Sequence, residues 1–112
     1  MSDKVYNIRP DNYRVEVISE SKPVLLLCMP RGESFQTQMM LIEDIATHYS
    51  NNIKVGLIEE TYIDTFKGNL NIRGTPTYLL MVKGEEKNRL IGLTDKEALE
   101  AFIFPYNNII AT

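Results

Sequence analysis

The chain has 112 residues, 44% hydrophobic and 24% charged, which is enough to bury one core but not two. A net charge of −3 and a pI near 5.1 lack the basic footprint that nucleic-acid phosphate requires. No apolar run approaches the roughly 18 residues of a bilayer span, Met1-Ser2-Asp3-Lys4-Val5-Tyr6 has no signal-like apolar stretch, and one cysteine closes no internal disulfide. The expectation is therefore a single domain over residues 1–112, cytoplasmic, with neither nucleic acid nor membrane as partner.

Lys4 to Ile8 reads as a short strand and Pro10 to Glu20 as a helix, with proline in its first turn. Val24-Leu25-Leu26-Leu27-Cys28-Met29 is an unbroken apolar run between Pro23 and Pro30, which predicts a strand buried on both faces from Pro23 to Met29. The period then changes. Phe35, Met39, Ile42, Ala46 and Tyr49 recur at helical spacing, predicting an amphipathic helix from Ser34 to Tyr49, with Ser34 as its N-cap. After Ser50-Asn51-Asn52, a strand from Ile53 to Ile58 places Ile53, Val55 and Leu57 on one face, and a short helix follows from Tyr62 to Leu70. Strands Thr77 to Val82 and Lys87 to Ile91 flank Lys83-Gly84-Glu85-Glu86 as a hairpin. Thr94 and Glu97 fit a capping box for a last helix that Pro105 should end.

Two stretches carry a resemblance to a known family. Pro30-Arg31-Gly32-Glu33-Ser34-Phe35 follows the buried strand and opens a helix, and Arg73-Gly74-Thr75-Pro76-Thr77 stands directly before another strand. Together they resemble the thioredoxin and glutaredoxin family, whose first motif is a hydrophobic strand and then Pro-x-Cys-x-x-Cys. The family's second motif is Gly-(Ile/Val/Thr)-Pro-Thr, with a cis proline beside the cysteines. The resemblance runs from Val5 to about Ile103 and implies an α/β fold of order βαβαββα, a mixed central sheet with helices on both faces. It places Gly32 and Phe35 where the two cysteines would stand, and Arg31 where a tryptophan often precedes the first. The buried Asp and Lys that assist proton transfer in the family match apolar positions here, at Leu25 or Leu26 and at Leu57.

Dithiol exchange needs an exposed low-pKa thiolate and a second thiol three residues on, and neither glycine nor phenylalanine supplies one. The resemblance implies that an extended peptide could still pair with the backbone before the proline, so the expected function is a redox-inactive module binding a protein or peptide. Its groove would be lined by Pro30, Arg31, Gly32, Glu33, Ser34, Phe35, Thr75 and Pro76, with no catalytic residue, metal or cofactor. The alternative is a glutaredoxin-like transferase acting through Cys28, with Cys28-Met29-Pro30-Arg31 as a shifted Cys-x-Pro-x site and glutathione as cosubstrate. Against it stands the reading of Cys28 as a small core residue. Glu59-Glu60 with Asp64 reads as capping and solvation rather than a metal site, His48 as a surface residue at a helix end, and Met39 and Met40 as core and flank. A purely structural subunit would use Phe102-Ile103-Phe104-Pro105-Tyr106 and Ile109-Ile110 as apolar contact area.

Overall fold

Every position of Val24–Cys28 is buried, as an unbroken apolar strand covered on both faces requires. In the computed structural model, which describes residues 4–107, this segment is β2, the middle strand of a five-stranded sheet. With β1 (Val5–Ile8), β3 (Lys54–Ile58), β4 (Thr77–Val82) and β5 (Glu85–Ile91) the order is β1-β3-β2-β4-β5. The first three in space are parallel, whereas β4 runs antiparallel to β2 and β5 antiparallel to β4.

The alternation of a strand sorts its side chains into two cores. Leu25 and Leu27 join Val55 and Leu57 against Met39, Ile42 and Ile45 of α1 (Phe35–His48) and Leu99 and Ile103 of α3 (Lys96–Asn107). Leu26 and Cys28 point the other way, among Ile8, Val17, Ile58 and Phe66, the last from α2 (Ile63–Asn69). Gly56 lets β1 and β2 close over β3, because a Cβ there would stand 2.8 Å from Ile8 Cγ1 and 3.0 Å from Leu26 Cδ2.

Four local expectations are corrected. The sequence predicts a helix from Pro10 to Glu20, but the chain makes only a π-helical turn at Arg14–Ile18, with the Ser19 N–H donating to the Arg14 carbonyl at 2.9 Å. Val15, Val17 and Ile18 are β-branched and resist a longer helix, and Val17 alone is buried to anchor it. In the hairpin the turn is just Lys83 and Gly84, at φ 53° and 83°, a conformation that matches the strand twist. Glu85 and Glu86, expected in the turn, pair instead with Val82 and Met81.

The cap of α3 is Asp95, whose Oδ1 accepts from the Ala98 N–H at 2.8 Å, rather than a Thr94 and Glu97 box. Pro105 does not end that helix, which continues to Asn107. One lost hydrogen bond in the last turn is tolerated because Phe102 and Tyr106 on either side pack against the core. These two rings are therefore not free contact area; Phe104 is exposed, and Ile109-Ile110 lies outside the described residues.

Away from the motifs, Lys54 is held with its side chain 8% exposed, 2.6 Å from Glu16 and 3.2 Å from Glu20, its ammonium 4.3 Å from the Tyr6 ring centroid. Burial pulls its pKa down, but the hydrogen bonds from the two carboxylates outweigh this and the net direction is up. Glu20 is pushed up by burial, yet its bonds to the Lys22 N–H and Lys54 leave it lowered. The cluster's contribution is thus complete between the ordinary carboxylate and lysine ranges. It is lost as pH falls through the Glu20 value or rises through the Lys54 value. The double substitution Glu16→Gln, Glu20→Gln strands a mostly buried ammonium and should cost about 2–3 kcal/mol at pH 7 in urea unfolding. The difference from wild type should narrow above about pH 10.5, where the ammonium discharges.

Candidate functional site

Because β2 and β4 are neighbours, with Cys28 opposite Thr77, the loops at the ends of these strands meet. From β2 the chain runs through Met29-Pro30-Arg31-Gly32-Glu33-Ser34 into α1. Phe35 N–H donates to the Gly32 carbonyl at 3.2 Å, closing a tight turn at the helix entry. Ser34 occupies the cap position as expected, but its side chain makes no capping bond. On the other side the Thr75-Pro76 peptide bond is cis, the Thr77 hydroxyl donates to the Gly74 carbonyl at 2.6 Å, and the Gly92 N–H donates to the Pro76 carbonyl at 2.8 Å.

Between them lies an open cleft of about 530 Å³. Pro30, Arg31, Gly32, Glu33 and Ser34 form one wall and Thr75 and Pro76 the other. Met29, Gly92 and Leu93, which the sequence reading does not include, complete it. The sequence signal for Leu93 is weak: an apolar residue between a glycine and the helix-capping Asp95.

Phe35 does not line this cleft, contrary to expectation. It is half-buried against the α1-side core, with the Arg31 guanidinium 5.3 Å above its ring centroid. Its volume turns inward because it begins α1 on the stripe that Met39 and Ile42 continue. Phe35 instead faces a second cavity of about 360 Å³, which Arg31 also lines and which reaches Leu57, Glu59 and Glu60. The two carboxylates there are engaged: Glu60 accepts the Arg31 N–H at 2.6 Å, and Glu59 pairs with Arg9 at 3.2 Å. Among the described residues no group of three His, Cys, Asp or Glu side chains could hold a metal ion. His48 is exposed beside Asp44, Met39 is buried and Met40 exposed.

Among the described residues no charged one is buried beneath the cleft. Leu25 and Leu57 face α1, Leu26 faces the opposite layer, and all three are buried. Cys28, the only thiol of the chain, is fully buried on the layer away from α1. Burial pushes its pKa up to about 11, so thiolate is scarce at neutral pH. A shifted Cys-x-Pro-x site would need that sulfur exposed at the helix entry, where it is not. Iodoacetamide at pH 7.5 should therefore alkylate native Cys28 about 100-fold or more slowly than the urea-unfolded protein, followed by mass spectrometry.

The comparisons with known proteins agree with this geometry. Residues 4–104 match the family model Thioredoxin. The chain is 28% identical to the thioredoxin of Acidithiobacillus ferridurans over 108 residues, covering 92% of this chain and 96% of that one. It is 27% identical to the thioredoxin of Porphyra purpurea over 103 residues, with 91% and 96% covered. Among solved structures, a point-mutant thioredoxin from Halobacterium salinarum NRC-1 superimposes with a TM-score of 0.81 at 23% identity, over 94% of this chain and 92% of that one. A family match over nearly the whole chain, on a sheet of this order with its two motif loops meeting at one cleft, shows that the protein belongs to the thioredoxin family.

Proposed function

We propose that this thioredoxin-family protein is a redox-inactive binding module that holds an extended segment of a partner protein in the cleft beside Pro76. The observation that carries the reading is the pairing of an intact second motif with Gly32 and Phe35 at the positions of the two cysteines. The names of the relatives favour a redox role, but a dithiol cycle needs two thiols in the cleft, and the single thiol of this chain is sealed in the core. Backbone pairing with an extended segment needs no thiol. Pro30, Pro76 and the exposed Leu93 offer apolar surface to one partner side chain, with the largely buried Met29 also lining the cleft, while Arg31 and Glu33 stand at the rim.

Selection of a displayed library of 12-residue peptides on the immobilised protein tests this. A Cβ at Gly32 would meet nothing within 4 Å, so Gly32→Trp should fold normally and obstruct the cleft. Selected peptides are expected to lose about tenfold or more in affinity with Gly32→Trp and with Leu93→Asp. Selection of no peptide by wild type, or equal binding by both variants, would overturn the reading.

A further inference from the structure

Leu93 is 60% exposed, yet the loop that carries it is fastened from below by a buried amide. Gln38, on the inner side of α1, is 2% exposed in a layer otherwise apolar. Its Oε1 accepts from the Tyr78 hydroxyl and, at 3.3 Å, from the Thr94 backbone N–H, while its Nε2 donates to the Thr94 carbonyl at 3.0 Å. One side chain thus satisfies both backbone groups of a loop residue, as a neighbouring strand would. Tyr78, fully buried on β4, orients the amide, because a hydroxyl donor on the oxygen side leaves the nitrogen side to the carbonyl.

An amide is costly to bury unless its polar atoms are paired, and a leucine or methionine would fill this core position without that requirement. Here the pairing is spent on the loop and not on the core. At the loop's other end the Gly92 N–H is bonded to the Pro76 carbonyl, so Gly92, Leu93 and Thr94 are held from both sides, with Leu93 between them lining the cleft.

We infer that Gln38 and Tyr78 are positioning residues for the groove. They hold the Gly92–Thr94 loop so that Leu93 stands beside Pro76 as the fixed apolar contact for the partner segment. Neither residue lines the cleft itself. The role toward a partner rests on the reading of the cleft as a peptide site, whereas the clamp on the loop does not.

Amide hydrogen exchange by NMR on Gln38→Met and Tyr78→Phe tests it. Gln38→Met should speed exchange at the Thr94 N–H by about tenfold or more, with Ile42 and Leu80 within about twofold of wild type. Tyr78→Phe removes one bond and keeps the ring, so a smaller acceleration confined to the same loop is expected; it carries the test alone if Gln38→Met does not fold. A peptide selected on wild type from the displayed library should bind Gln38→Met about tenfold more weakly. Unchanged exchange at Thr94, or acceleration of Ile42 and Leu80 in step with it, would overturn the clamp, the second result marking a merely structural role. Unchanged peptide affinity despite a loosened loop would overturn its part in binding. Failure of wild type to select any peptide would instead sink the groove reading and with it the role of Leu93, while the exchange data still decide the clamp.

Discussion

The double substitution Gly32→Cys, Phe35→Cys is expected to take the protein from no insulin reduction to measurable dithiothreitol-dependent turnover. The hydrogen bond from the Phe35 N–H to the Gly32 carbonyl closes a four-residue turn, which brings the two Cα atoms within about 7 Å. That spacing falls in the range a disulfide spans. A side chain at position 32 meets no neighbour, and the cleft beside it is open. The entry of α1 supplies backbone N–H groups that favour a thiolate. Two effects keep the gain modest. Removing the half-buried Phe35 ring should cost about 1–2 kcal/mol of stability. Leu25 and Leu57 give the buried thiol no group with which to exchange a proton. Each single substitution should stay at the blank, since neither alone supplies both an attacking and a resolving thiol. An inactive double variant that nonetheless folds and oxidises to the 32–35 disulfide would show that the cleft lacks more than two thiols for this chemistry.

Leu26→Asp is expected to leave the protein largely unfolded at pH 7. Leu26 is fully buried in a layer made by Ile8, Val24, Cys28, Ile58, Leu79 and Met81, none of which carries a positive charge and whose only side-chain donor is the weak Cys28 thiol. An uncompensated buried charge costs about 3–5 kcal/mol, and the lost leucine packing adds about 2 kcal/mol. The sum rivals the whole stability of a domain this size, about 5–15 kcal/mol. Burial would raise the introduced carboxyl's pKa above its unfolded value. The cost is therefore smallest in acid, where the group is neutral in both states, and grows as pH rises through the unfolded carboxylate range. Circular dichroism should show the variant losing less of its fold near pH 4 than at pH 7. A variant as stable as wild type at pH 7 would mean that a counter-charge reaches Leu26.

Where one local rule dominated, the fold was legible in the residues. Val24–Cys28 is apolar throughout because both faces are covered, and the stripe from Phe35 to Tyr49 follows the one face that α1 buries. The last helix is less legible because tertiary packing outweighs its local signals. Phe102 and Tyr106 carry α3 past Pro105, and a side chain on α1 occupies Thr94, leaving the cap to Asp95. The cleft was readable wherever it lay inside the two motifs. Leu93 and its support from Gln38 and Tyr78 join residues distant in the chain, brought together only when β4 and the loop after β5 meet α1. Phe35 stands outside the cleft because helical periodicity, rather than motif position, decides which way its ring turns.

Dithiothreitol-dependent reduction of insulin by the wild-type protein, run beside Cys28→Ser, decides whether the protein is redox-inactive. Both traces are expected to coincide with the dithiothreitol blank, while peptides selected on the groove still bind. Wild-type turnover above the blank that disappears in Cys28→Ser would contradict redox inactivity.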